Sequence, residues 1–489
     1  MKKDFPSLPV AVIGAGPIGL ASAAHLVERG FSPMVFEAGP SVGSSLESFA
    51  HVQLFSPWRF NIDGAARRML EASGWSAPPP EELPAAGAML ERYLKPLAAL
   101  PAIASALKLE HRVVSIARDG FDKMKSRGRD EAPFLIRALS PEGPVEFRAW
   151  AVIDASGTWA RPNPLGANGL PAIGEHEAAA RIAYGMPDIL GAQRSRYAGK
   201  RVLVAGAGHS AAGNLLALAK LADEAPGTRI VWSIRGSNFA RIFGGGENDG
   251  LAARGALGRR LKRLAESGAL EVHADFRTQA IRETSNGLVV EGQGSDGSTR
   301  HLEGIDEIVV AAGARPDLAI ASELRLKLDP WIESTELLAP LIDPNVHSCG
   351  TVRPHGHREL AHPETRFYAV GAKSYGRAPN FLLATGHEQV RSVIGALAGD
   401  LAAADDVRLE LPETGVCSTQ FDEASSGCCT TGAAEAIAVT TAKPAAVSPC
   451  CGGPPVKRVD ACCVADETAK DAGKSGCGSK PRPAMTEKA

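Results

Sequence analysis

The stretch VAVIGAGPIGL, residues 10–20, reads as a buried strand, a glycine turn and the start of a helix. Val10 to Ile13 is an unbroken apolar run, as a parallel strand covered on both faces requires. Gly14-Ala15-Gly16-Pro17-Ile18-Gly19 then spells GxGxxG. In such a turn the first glycine makes the bend and the second lets backbone approach a pyrophosphate. The third lets helix pack on strand. The helix, from about Pro17 to Arg29, offers free N–H groups and a positive dipole end to phosphates. A second strand, Pro33 to Phe36, ends at Glu37, 23 residues beyond Gly14, where a carboxylate accepts both ribose hydroxyls. The competing reading is a structural turn followed by a surface glutamate. Lys2 and Lys3 before the apolar run imitate a signal peptide, but Gly14, Gly16, Pro17 and Gly19 would spoil its helix. A cytoplasmic protein with no membrane span is expected.

The device occurs twice. RVLVAGAGHSA, residues 201–211, repeats strand, turn and helix, with Gly206 and Gly208 in the turn and Ser210 opening the helix. No acid ends the strand that follows. IVWSIR places Arg235 there, with Ser233 beside it. A guanidinium at that point suits a 2′-phosphate and favours NADPH; a solvated strand-end charge is the plainer alternative. Each copy has a later partner strand ending in small residues, AVIDASGTW (151–159) and EIVVAAGARPD (307–317). Backbone is expected to approach a nucleotide or another segment at Gly157 and Gly313. Helices are expected over 89–100, ending before Pro101, over 213–222 and over 386–398. Strands are expected over 229–234 and 366–371, and residues 109–150 alternate in strand fashion around a polar loop at 122–131.

Composition is ordinary for a soluble globular protein and limits the alternatives. The chain has 489 residues, 22% of them charged, and a net charge of −2. That leaves no global basic field, which disfavours nucleic-acid and membrane-surface roles. The organisation expected is α/β, with two Rossmann-like dinucleotide-binding domains. The first occupies 1–160 and resumes over 311–405, the second occupies 161–310, and a flexible tail spans 406–489. Eight of nine cysteines lie beyond Leu411, so a disulfide scaffold is excluded for the body.

Two such units, one with a ribose-binding acid and one with an arginine, resemble the two-dinucleotide-binding-domain flavoproteins, a group that includes thioredoxin reductases and flavin-containing monooxygenases. The resemblance covers roughly residues 8–400. It implies FAD at the first turn and NADPH at the second. YAVGAKSYGRAPNF (368–381) looks like the family's late FAD motif, with Gly371 near the flavin; Ala372 stands where that motif has an Asp. Reductases of this fold need a dithiol beside the flavin, and PSVGSSLESFA (40–50) has none. Monooxygenases need none, because their reactive group is on the flavin. The nearest resemblance is to bacterial monooxygenase-like flavoproteins linked to metal or arsenic resistance, carried by HVQLFSPWRFNID (51–63), GHSAAGN and KSYGRAPNFLLATGHEQV (373–390). It implies Trp58, Arg59 and Asn61 by the isoalloxazine. The alternative is that Phe55, Trp58 and Phe60 are core and Arg59 a structural ion-pair partner. Tyr375, Arg377 and Asn380 rank second.

Two sulfur and histidine features remain. HSCGTVRPHGHRELAH (347–362) gathers Cys349 with His347, His355, His357 and His362, which read as a metal site, a substrate-facing loop or ordinary packing. The tail holds three vicinal pairs, Cys428-Cys429, Cys450-Cys451 and Cys462-Cys463. Vicinal pairs make strained disulfides but suit soft ions such as As(III), Hg(II), Cu(I) or Cd(II). Tethered capture would raise such an ion's concentration at the flavin; a drifting tail with incidental cysteines is the alternative. The expected activity is an FAD- and NADPH-dependent monooxygenase that uses O₂ on a soft nucleophile, plausibly a trivalent arsenical, in a homodimer. The alternative is a flavin reductase working through the tail thiols on a disulfide or metal ion.

Overall fold

The structure, a computed structural model, describes residues 7–239, 242–243, 252–347, 352 and 354–409. The tail beyond 409, with all its cysteines, and Cys349 lie outside the described residues. In chain order the first strands are β1 (Val10–Ile13), β2 (Pro33–Phe36) and β3 (Leu107–Lys108). Next come β4 (Arg112–Arg118), β5 (Phe134–Ser140), β6 (Gly143–Ala149) and β7 (Ala151–Asp154). A second group is β8 (Ile182–Tyr184), β9 (Arg201–Ala205), β10 (Arg229–Ser233) and β11 (Leu270–His273). It continues through β12 (Arg277–Thr284), β13 (Gly287–Gln293), β14 (Thr299–Ile305) and β15 (Glu307–Val310), and β16 (Phe367–Ala369) ends the series.

These strands form two parallel sheets, ordered β16-β7-β1-β2-β3 and β11-β10-β9-β15-β8. Each carries a three-stranded antiparallel sheet beside it, β4-β5-β6 and β12-β13-β14. β1 and β7 are buried at every position, which explains their continuous apolar runs. Strand order reverses beside β1 in the first sheet and beside β9 in the second. Each glycine turn therefore sits at a topological switch point, the usual ligand crevice of open α/β sheets.

Gly14 and Gly206 show why these positions take glycine. Their φ angles are 96° and 138°, in the region that L side chains avoid. A methyl on Gly14 would stand 2.8 Å from the Ala155 carbonyl oxygen, and on Gly206 2.3 Å from that of Ala311. In both units the turn is pressed against the segment leaving the neighbouring strand. Helices Pro17–Glu28 and His209–Glu224 follow the two turns. Helix Leu383–Leu397 packs against Pro17–Glu28.

The helix expected over 89–100 differs in detail. It begins at Ala86, passes through a π turn at Leu90–Leu94 and ends at Ala99. Leu100 is extended, with ψ 133°, and Pro101 starts a further short helix to Ala104. A residue before proline is driven out of helical geometry, while proline itself suits a helix start.

Candidate functional site

One cavity of about 1330 Å³ runs from the first glycine turn to the second. It exceeds the roughly 300–1,000 Å³ of a typical small-molecule site. At its first end lie Gly14, Gly16 and Glu37, and at its second Gly206, Gly208 and Arg235. Gly157, Gly313 and Gly371 also line it. A methyl on Gly16, Gly157 or Gly208 would meet no atom within 4 Å. The backbone there is open to the cavity, as close approach of a phosphate requires.

Glu37 is held for a task. Its Oε2 accepts the Ala15 N–H and its Oε1 the Gly39 N–H, each at 3.0 Å. The carboxylate is fixed with lone pairs to spare. Arg235 reaches over the second turn and donates to the Ala167 carbonyl at 3.1 Å. Ser233 lines the cavity beside it. Ser210 does not; His209 and Ala212 of the same helix face the cavity instead.

Of the residues expected by the isoalloxazine, only Asn61 lines the cavity. Trp58 is fully buried in the core behind it. Arg59 is turned to solvent, paired with Glu81 and lying over the Phe60 ring. The three share the short helix Trp58–Asn61, and one helical turn points adjacent residues in different directions. Asn61 is held in place by donating to the Ser56 carbonyl at 2.6 Å. Among the second-rank residues, Arg377 and Asn380 line the cavity, while Tyr375 is buried against the rings of His355 and Phe381.

The histidines of 347–362 do not converge. His347 bonds the Pro340 carbonyl, His357 meets Ser392, His362 accepts from the Lys327 N–H, and His355 packs against Tyr375 and Gln389. Among the described residues no group of three His, Cys, Asp or Glu side chains could hold a metal ion. The cavity wall has no cysteine among its described residues.

Two features escaped the sequence reading. PSVGSSLESFA forms a short helix, Ser44–Glu47, whose residues face the cavity. There Phe49 and Trp159 pack with ring centres 4.6 Å apart. Behind the late glycine, Lys373 Nζ lies 2.5 Å from Asp154 Oδ2, both side chains buried. Lys373 also donates to Ser156 Oγ, which donates to Asp154 Oδ1. This ties the ends of β7 and β16 together under Gly157 and Gly371. The residue after the one that departs from the usual motif thus supplies a charge to the turn, and an Asp ending an apolar strand was its one sequence signal.

Over residues 12–74 the chain matches the family model of an NAD(P)-binding Rossmann-like domain. In three dimensions it is similar to a bacillithiol disulfide reductase from Bacillus cereus, with 17% identity and TM-score 0.58 over 80% of this chain and 99% of that one. It is similar to the FAD-bound cadaverine monooxygenase of desferrioxamine biosynthesis from Erwinia amylovora, with 13% identity and TM-score 0.57 over 87% and 100%. A third is the ornithine hydroxylase of Pseudomonas aeruginosa, with 14% identity and TM-score 0.52 over 81% and 99%. The chain has the two-Rossmann fold of these enzymes. No curated protein matches it in sequence. No helix of the described residues is long and apolar enough to cross a membrane.

Proposed function

We propose that this chain is an FAD- and NADPH-dependent oxidoreductase of the monooxygenase type. The observation that carries the reading is the single cavity joining two dinucleotide turns, one with an oriented acid and one with an arginine. Glu37 takes the ribose hydroxyls of FAD, and the backbone at Gly14–Gly19 with the following helix takes its pyrophosphate. Gly206 and Gly208 do the same for NADPH, and Arg235 takes the 2′-phosphate. A flavin bound there would supply the redox chemistry, hydride acceptance from a nicotinamide and electron delivery to O₂. Asn61 offers a fixed polar contact on the flavin side. Phe49, Phe55, Trp159 and Phe381 wall the space between the two ends and exclude water from it.

The substrate we propose is a soft nucleophile, a trivalent arsenical, captured by Cys428-Cys429, Cys450-Cys451 and Cys462-Cys463. The tail's vicinal thiols support the choice. The test is NADPH oxidation with and without O₂ across As(III), methylarsenite, Hg(II) and a thioether. Substrate should speed the consumption of NADPH and O₂ together and yield an oxygenated product. Oxygen-independent turnover that disappears when the chain is truncated after Leu411 would instead favour a thiol-linked reductase.

A further inference from the structure

The segment after Asn163 runs along the cavity wall to Gly169, between the two dinucleotide ends. Two arginines from separate segments converge on it. A methyl placed on Gly169 would sit 3.6 Å from Arg315 Nη2 and 3.8 Å from Arg377 Nη2. Arg315 follows Gly313 at the end of β15, and Arg377 follows the 371–375 turn after β16. Neither motif explains why the guanidinium groups should meet.

Among the described residues neither guanidinium is paired with a carboxylate. The Arg377 side chain makes no hydrogen bond or ion pair among the described residues. Arg315 Nε donates to Asn163 Oδ1 at 3.2 Å, which fixes the fork but leaves its charge unbalanced. Asp317, the acid of the same stretch, is engaged by Arg161 at 3.0 Å. The wall segment is pinned from its other side where Arg235 bonds Ala167. Arg377 is exposed, and both Nη2 atoms lie within 4 Å of one point over Gly169. Two guanidinium groups facing one wall segment raise the local positive potential, and such forks match oxyanions bidentately.

The geometry points to an anion site between Arg315 and Arg377 over Gly169, taking a phosphate, a carboxylate or another oxyanion. The anion has two sources. It belongs either to the dinucleotide on the second turn or to a separate small anion, such as a charged substrate or oxidised product. Only the first source rests on the function proposed above.

The experiment uses the full-length holoenzyme and calorimetry. NADP⁺ is titrated alone, and inorganic phosphate is titrated with and without saturating NADP⁺. The variants are R377Q, R377K and the double variant R315Q/R377Q. Arg377 is exposed and its side chain has no hydrogen-bond or ion-pair partner among the described residues, so R377Q should melt as the parent does. If the anion is separate, phosphate binds beside NADP⁺, and R377Q weakens phosphate alone by about tenfold or more. If it is the dinucleotide's, phosphate competes with NADP⁺ and R377Q weakens NADP⁺ by a similar factor. R377K should recover only part of either loss. The proposal is overturned if R315Q/R377Q binds both ligands within about twofold of the parent, since a lost charge-assisted pair costs more. A protein that holds no flavin but binds phosphate through Arg377 would keep the anion site and sink the proposed function.

Discussion

Glu37 and Lys373 show two ways a charged side chain can support the proposed nucleotide site. Glu37 is oriented by two backbone N–H groups at the cavity edge. Glu37→Ala should weaken FAD binding roughly 10- to 100-fold, the usual worth of a charged hydrogen-bond partner; flavin content after dialysis reads this. Arg235→Ser should leave NADH oxidation largely unchanged. It should raise the KM for NADPH by a similar factor, which steady-state assays with both nucleotides will show. Lys373 works from beneath. Lys373→Met strands the buried Asp154 and should cost about 3–5 kcal/mol in urea unfolding, most of it recovered when Asp154→Leu is added. Glu37 and Arg235 were legible because strand ends beside a glycine turn have one geometry. The Lys373–Asp154 pair was not, because Asp154 ends β7 and Lys373 lies in the turn after β16, far apart in the chain. Trp58 and Arg59 misled for a related reason: adjacency in sequence says nothing about which neighbour turns inward.

Elements are held by a second set of polar contacts away from the cavity. Asp63 caps helix Gly64–Ala72 by accepting from Ala65 and Ala66, and it pairs with His25 of helix Pro17–Glu28 at 3.0 Å. Burial raises its carboxyl. His25, by charge and hydrogen bond, then His387 and the Ala66 amide outweigh that and hold it at about 2. The folded value lies below the ordinary one, so this contribution, about 2 kcal/mol, is present above pH 4 and fades as pH falls toward 2. Burial pushes His362 down to about 4, and its Nδ1 accepts from the Lys327 N–H. A proton is disfavoured in the folded state, so stability should fall as pH drops from 6.5 to 4, by at most ~3 kcal/mol. Urea midpoints against pH should show this limb, and His362→Gln should flatten it. The parallel strands beside the two glycine turns and the helices after those turns were readable from apolar runs and glycines, whereas helix Ala252–Glu266 and strands β8 and β11 to β14 were not expected. The π turn at Leu90–Leu94 was not, since no residue type demands it.

At the scale of the molecule, the repeated turn announced two units, and the structure sets both on one cavity. What the repeat did not reveal is the wall between them: Phe49 and the Gly169 segment lie outside the two repeated turns and their partner strands, and Trp159 at the end of AVIDASGTW gave no sign that it packs on Phe49. The two sheets also differ in how the chain visits them. β7 ends at Asp154, and its partner β16 begins at Phe367, with all of β8 to β15 between. A chain leaving the ribosome can therefore complete the second sheet while the first still lacks an edge strand. Joining β16 to β7 across the 212 intervening residues, were they unstructured, would carry a large loop-closure entropy. A folded insert brings those ends together in advance and lowers that barrier. The second unit should thus mature first and template the first. Pulsed hydrogen exchange during refolding should find amides of β9 and β10 protected before those of β16. Simultaneous protection would mean that the two sheets fold as one cooperative body.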